Sequence, residues 1–397
     1  MGIKEFVQVF WGPNTLYQLV GYDFQLLPRP YWRQVLMNAF LIFTTISGIC
    51  TRIYMLMQLR ELIISGDILN TFRLGVYISY AIDSNVKFLV FLLNAHSLRK
   101  IYESLAAEYP QTYSDRKLYK VNKYSFRRMR LMICAYLLVS NSILLGPMLQ
   151  SISMYIIDLL RYGYANATFP YLHPTPMPYN FDYCTPRYYI PIYLSEYLNG
   201  HFCTTTNLGT DLYVSTFAGQ FCMQLEYLGY SLETYEPSVE NSKADCEFLM
   251  KWIRKHQLML SLCADLNEVF GTTLLFKLVS NCTVFCIIVV QLKLEGFGWG
   301  FLNFLSFFFV TVAQFFMVCQ YGQKLITISE NLALSVYKNR WYNGSKEYKK
   351  LLFTIFTRAQ KPAKLTARGF QPISLVTFQI VMTMTYRVFA VLQRALD

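Results

Sequence analysis

The chain has 397 residues, of which 54% belong to the AVILMFWYC set and only 15% are charged, with mean hydropathy +0.28. A soluble domain carries roughly 25% charged residues because most of its surface must be wetted, so this composition excludes a single aqueous globule and makes lipid the expected solvent. The net charge is +12, but Lys and Arg lie between apolar runs and not on one face, which is the distribution of membrane loops and excludes nucleic-acid binding.

The N-terminus, MGIKEF, lacks the charged-then-apolar pattern of a signal peptide, and Phe6 stands where N-myristoylation needs Ser or Thr. Residues 1–34 read as a cytoplasmic segment, and the first apolar helix as an uncleaved insertion signal. Seven apolar stretches follow, near 35–57, 72–95, 130–157, 193–222, 264–292, 299–322 and 372–393, each close to the ~20 residues that cross a bilayer as a helix. In the second, Asp83 and Lys87 stand at i, i+4, the spacing of an ion pair that lowers the cost of each charge. The fourth is interrupted by Glu196 and Asp211. Before the fifth, residues 242–263 read as a helix with Phe248, Leu249, Trp252 and Ile253 on one face, running into the span. GFGWG at 296–300 joins the fifth and sixth as a tight hairpin, and 345–361 reads as another helix. The fold class is thus all-α and membrane-integral. Residues 35–322 hold six spans, 323–371 form an internal anchor region, and 372–397 hold the seventh helix and a short tail.

Orientation follows from the basic residues. Segments 1–34, 96–129, 223–263 and 323–371 hold 25 of the 36 Lys and Arg, whereas 58–71, 158–192, 293–298 and 394–397 hold 5. The positive-inside rule then puts the N-terminus in the cytoplasm and the C-terminus outside. A G-protein-coupled receptor has the opposite orientation, and neither a DRY-like triplet nor NPxxY occurs where that class needs it; no G protein is required as a partner. The outer connection 158–192 interleaves Pro170, Pro174, Pro176, Pro178, Pro186 and Pro191 with Tyr164, Phe169, Tyr171, Tyr179, Phe181 and Tyr183. Proline forbids a regular helix there while the rings need packing partners. A lid over the outer mouth and an aromatic belt at the lipid interface both fit. Asn166-Ala-Thr168 is a glycosylation sequon on the outer side, and Asn343-Gly-Ser345 one on the inner side, expected to stay bare. Most of the ten cysteines sit in apolar runs, and Cys282 and Cys286, four apart, have no His or carboxylate cluster beside them. No metal, cofactor or disulfide framework is expected.

The C-terminal half carries motifs in a recognisable order. They are IRKHQLMLSLCADLNEVFGTTLLFKLVSNC (253–282), ENLALSVYKNRWYN (330–343) and RAQKPAKLTARGFQPISLVTFQIVMTMTYRVFAVLQ (358–393). Within them fall His256 before Leu266-x-x-x-Phe270, Tyr337 before Trp341-Tyr342, and a Lys-Pro stretch leading into the last helix; TDLYVSTFAGQF (210–221), with Asp211, belongs to the same pattern. On these residues the chain resembles the insect odorant receptor family over about half its length. The resemblance implies a ligand-gated, non-selective cation channel in the plasma membrane of an olfactory neuron's dendrite. In that picture four subunits surround a pore lined by helix 7, and each holds a volatile odorant among its outer helix halves. The loop 223–245 is short, whereas the family's shared coreceptor has a long second cytoplasmic loop, so the chain looks like an odorant-tuned subunit that requires the coreceptor in a heterotetramer.

Helix 7 departs from the family pattern: a Ser-Tyr-Ser-Tyr-Phe-like element stands here as Thr385-Tyr386-Arg387-Val388-Phe389. Arg387 either snorkels to the outer interface or faces the pore, where it would weaken cation passage. By position in the motif, Phe389, Leu392 and Gln393 are the gate candidates, since an apolar ring closes a pore by dewetting; helix packing is the plain alternative. An odorant pocket must be concave and apolar with a few polar groups. The outer halves offer Tyr77 and Tyr80 on helix 2, Ile143, Gly146 and Gln150 on helix 3, Tyr197, His201 and Thr205 on helix 4, and Phe304 and Phe308 on helix 6. Ordinary core packing is the competing account of each. A gustatory receptor channel is the nearest alternative function, because Thr385-Tyr386 narrowly misses that family's helix 7 ending. A membrane enzyme or transporter lacks support: no phosphate loop, nucleophile elbow or internal repeat occurs.

Overall fold

The computed structural model describes residues 2–24, 30–110, 123–162, 167–173, 185–294 and 298–396. Eleven α-helices account for nearly all of these: α1 (Gly2–Val9), α2 (Trp11–Leu19), α3 (Tyr31–Ser65), α4 (Ile68–Leu93), α5 (Ala95–Ala107), α6 (Lys123–Tyr162), α7 (Pro186–Thr234), α8 (Ser242–Leu294), α9 (Trp299–Lys338), α10 (Lys346–Ala359) and α11 (Leu375–Leu396). The seven long ones correspond to the seven expected spans. Local chemistry marks several of their ends. α3 stops at Gly66, whose φ of +73° gives the left-handed cap that a β-carbon disfavours. Asp67 then starts α4 by accepting from the Asn70 N–H at 3.2 Å. Pro186 stands at the first turn of α7, where a missing N–H costs nothing.

Five helices (α3, α4, α6, α8 and α9) are long and apolar enough to cross a membrane on length and composition alone. The other two fall short for different reasons. The apolar run of α11 is brief, Leu375–Val391. α7 carries too many polar residues, and burial explains them: from Phe202 to Cys222 nearly every residue is enclosed, Asn207, Thr210, Asp211 and Ser215 among them. α7 is the axis of the bundle, sheathed by α2, α3, α4, α6, α8 and α9, so its polar side chains meet one another and not lipid. The sheath shows the inverse pattern, with Ile64, Leu138 and Leu160 more than 70% exposed, as lipid-facing helices require.

Residues 2–24 pack into the bundle. Phe6, Phe10, Leu16, Tyr17, Val20 and Phe24 are all buried, and they close one end of the bundle, called the base below. Phe10 meets Phe217 edge-on at 5.0 Å between centroids, and Tyr17 stacks on Phe91 at 4.2 Å. The Tyr17 hydroxyl shares a 2.6 Å hydrogen bond with Thr210. Such ring contacts add about 0.5–1.5 kcal/mol each beyond area burial.

α8 runs unbroken for 53 residues, about 80 Å at 1.5 Å per residue, so the 242–263 helix does continue into the fifth span. Leu249 and Trp252 of its expected face are buried, with Phe248 and Ile253 packed beside them. Trp252 donates to the Leu228 carbonyl at 2.9 Å, and Phe248 lies flat on Tyr235 at 3.8 Å. α10 takes up the expected 345–361 helix, capped by Ser345, which accepts from the Tyr348 N–H at 3.2 Å. A small hairpin follows that no local pattern in the sequence announces. Thr366–Ala367 pairs antiparallel with Gln371–Pro372, around a turn with Arg368 and Gly369 at φ +52° and +78°. Asn267 of α8 pins it, donating to the Lys364 carbonyl and accepting from the Thr366 N–H, both at 2.8 Å.

Candidate ligand-binding site

In the half of the bundle away from the base, α3, α4, α6, α7 and α9 enclose a cavity of about 100 Å³. It has the size class of an engineered apolar cavity of roughly 150 Å³ that admits benzene. Its wall is built from helical stripes. α6 contributes Tyr136, Ser140, Ile143 and Leu144, and α7 contributes Glu196, Asn199, Gly200, Cys203 and Thr204. α4 brings Tyr77, Tyr80 and Ala81; α9 brings Asn303, Phe304, Phe307 and Val310; α3 brings Thr51, Arg52 and Met55. Tyr80 packs edge-on to Phe307 at 5.1 Å, and its hydroxyl shares a 2.7 Å hydrogen bond with that of Tyr136.

Of the residues expected from sequence, Tyr77, Tyr80, Ile143 and Phe304 line this space. Gly146 lies at its edge, where an added β-carbon would stand 3.8 Å from Asn303 Oδ1. The others lie off it. Gln150 sits further along α6, its amide 3.9 Å from Met154 Sδ. Tyr197 donates to Asn141 Oδ1 at 2.7 Å and stacks with His201. The Thr205 hydroxyl is spent on the His201 carbonyl at 2.6 Å, and Phe308 packs between Phe285 and Phe309. The physical reason is angular. Tyr197, His201 and Thr205 each follow by one residue the cavity-facing Glu196, Gly200 and Thr204, and one residue rotates a helix face by about 100°. The sequence offered no cavity residue on α3, although Arg52 within it was the available signal.

One turn or more toward the base lies a buried polar cluster that ties four helices together. Lys87 of α4 contacts Asp83 at 3.0 Å and Asp211 of α7 at 3.1 Å; Lys277 of α8 contacts Asp211 at 2.6 Å. Asn207 accepts from Lys87 and donates to Asp83 at 3.1 Å, while Gln314 of α9 donates to Asn207 at 3.0 Å and also to Asp211. All six are at most 4% exposed. The expected Asp83–Lys87 pair is therefore one edge of a network with two cations and two anions. Charges removed from solvent are tolerable only when matched in this way.

From the cavity, α9 leads to α11. Phe315 and Phe316 stand 5.6 and 5.4 Å from the Phe378 ring, and Gly322 lets α9 touch the Ile373 carbonyl ahead of α11. On α11, Val376, Ile380, Met384 and Val391 form an exposed stripe. Arg387 is also exposed and Phe389 half-buried. The side chains of Leu392 and Gln393, and residues 163–166 and 174–184 of the 158–192 connection, Asn166 among them, lie outside the described residues. Of that connection, Phe169 and Tyr171 pack edge-on to Tyr189 at 5.8 and 5.1 Å, and His173 Nδ1 is 3.2 Å from Glu196 in the cavity wall.

A multi-pass helical bundle with a small aromatic cavity walled by five of its helices has the architecture to hold a small molecule between its helices. The model of the 7tm odorant receptor family matches residues 71–386, and the chain belongs to that family, which is one of membrane receptors and not of enzymes. It is similar to odorant receptor 49a of Drosophila melanogaster, at 32% identity over all of this chain and 99% of the relative. With odorant receptor 85f of the same species the identity is 28% over 97% of this chain and 96% of the relative. Among solved structures, the olfactory receptor OR5 of Machilis hrabei in complex with eugenol superposes with a TM-score of 0.80 at 16% identity, covering both chains in full. A second structure of that receptor gives 0.71 at 14% identity, covering 99% of each chain.

Proposed function

We propose that the chain is the odorant-tuned subunit of a ligand-gated, non-selective cation channel, working with the family's coreceptor in a heterotetramer. The observation that carries the reading is the five-helix cavity of Tyr77, Tyr80, Tyr136, Phe304 and Phe307, whose size and apolar character suit one volatile molecule. The relative whose title reports a complex with eugenol supports it. An odorant among these rings favours one packing of α9 over another. The Phe315–Phe316–Phe378 contacts pass that preference to α11, where Phe389, Leu392 and Gln393 form the gate. A ligand shifts such an equilibrium only by its differential affinity for the two packings. The exposed α11 stripe supports a pore or subunit face, as do exposed Tyr337, Tyr342 and Phe370 at the base. The Lys/Arg distribution supports a cytoplasmic base, an extracellular C-terminus and an outer 158–192 lid glycosylated at Asn166. Residence in the dendritic plasma membrane follows from the same reading.

The test is electrophysiological. Cells expressing the chain with and without coreceptor are challenged with a broad volatile panel. Odorant-evoked cation current only in co-expression is the expected result; ligand-driven uptake without current would sink it.

A further inference from the structure

Arg52 lies well inside α3 and lines the cavity, and an ionisable residue within a span ordinarily faces a cavity or a partner. Its partners are few. Nη2 donates to Cys203 Sγ at 3.3 Å, a weak acceptor, and Nε–H is buried with no acceptor. No carboxylate among the described residues pairs with it; Glu196, the other charge in the wall, is met by His173. Beside it, Asn199 donates to Ser47 Oγ and to the Ser195 carbonyl, each at 2.9 Å. That leaves Asn199 Oδ1 buried and without a donor. A β-carbon built on Gly48 would stand 2.2 Å from Arg52 Nη1 and 2.9 Å from Asn199 Oδ1, so these atoms are at most about 5 Å apart. Four other wall hydroxyls are already engaged: Tyr80 with Tyr136, Thr51 with the Ser47 carbonyl, Thr204 with that of His201. An unused donor and an unused acceptor thus share one edge of a largely apolar space.

One hydroxyl oxygen bridges such a gap at ordinary hydrogen-bond lengths, accepting from the guanidinium and donating to the amide oxygen. An ether, ester or ketone can accept but leaves Oδ1 unmet, and a hydrocarbon satisfies neither group. We propose that Arg52 and Asn199 make the cavity select hydroxyl-bearing ligands, small alcohols or phenols whose apolar body lies against Tyr77, Phe304 and Phe307. The inference rests on the cavity being the odorant site. A site built to hydrogen-bond a ligand group rejects the analogue lacking it far more strongly than it rejects a missing methylene.

The experiment uses the full chain co-expressed with coreceptor and isomeric probe pairs: hexanol against methyl pentyl ether, and ethylphenol against methylanisole, with heptane as the apolar control. The hydroxyl member of at least one pair is expected to act at a half-maximal concentration at least about tenfold lower than its isomer. Arg52→Met should abolish that preference while the response to the ether persists. Gly48→Ala should do the same, because its methyl displaces the guanidinium while both polar side chains remain, and it decides the matter if Arg52→Met fails to reach the surface. Equal potency within both pairs overturns the proposal, as does a preference untouched by either variant, which would make the bridge a structural water contact. A wild-type chain that gives no current to any volatile would instead overturn the receptor reading.

Discussion

Replacing Asp211 by Asn tests whether the buried cluster holds the bundle together. Asp211 is the only carboxylate within ion-pair distance of Lys277 among the described residues, at 2.6 Å, and it also meets Lys87 at 3.1 Å. Neutralising it strands Lys277 in a site 3% exposed, and removing one partner of a buried pair costs about 3–5 kcal/mol. Asp83→Asn produces the same net charge but leaves Lys87 beside Asp211, and Asp83 Oδ1 has no hydrogen-bond partner to lose. That variant should cost less, about 1.5–3 kcal/mol. Adding Lys277→Met to Asp211→Asn removes the stranded charge and should restore a substantial part of the loss. The assay is thermal unfolding of detergent-solubilised protein followed by fluorescence-detected size exclusion, with surface labelling alongside. Melting of Asp211→Asn within about 2 °C of wild type, or below it only as far as Asp83→Asn, would refute the reasoning.

Gly322→Ala sets a β-carbon 2.2 Å from the Ile373 carbonyl oxygen, a backbone atom that cannot rotate away. It should shift α9 from α11 and alter gating, read as changed basal or maximal current at matched surface expression; unchanged currents would contradict direct helix contact there. His256 lies in the α8 extension, where burial chiefly, and the Arg358 charge secondarily, push its pKa down to about 4. The unfolded chain therefore binds the proton first, so stability should fall as pH drops from about 6.5 toward 4, by up to about 3 kcal/mol, and level off below. His256→Gln should flatten that slope in a thermal series, and a wild-type curve without it would refute the burial argument. Glycosidase treatment should shift wild type but not Asn166→Gln, whereas sugar on Asn343 would reverse the orientation.

Chain-local physics was readable without coordinates. Apolar runs near bilayer length located seven helices, and the basic residues between them set an expected orientation. The 242–263 and 345–361 helices and the Asp83–Lys87 spacing were equally local, because each depends on neighbours within a turn. What required the tertiary structure was everything decided by rotation about a helix axis or by distant partners. Cavity membership on α7 turned on the 100° between His201 and Gly200, which periodicity alone does not orient. Asp211 looked like a flaw in a span until Lys87 and Lys277, 124 and 66 residues away, met it in the bundle axis. Phe6, Phe10 and Tyr17 read as an unremarkable tail because the contacts that bury them, on α4, α5 and α7, are long-range. Sequence determined which segments prefer lipid to water, a sum over local transfer energies. Only the fold decided which polar groups face one another, since that depends on how five helices close around one small space.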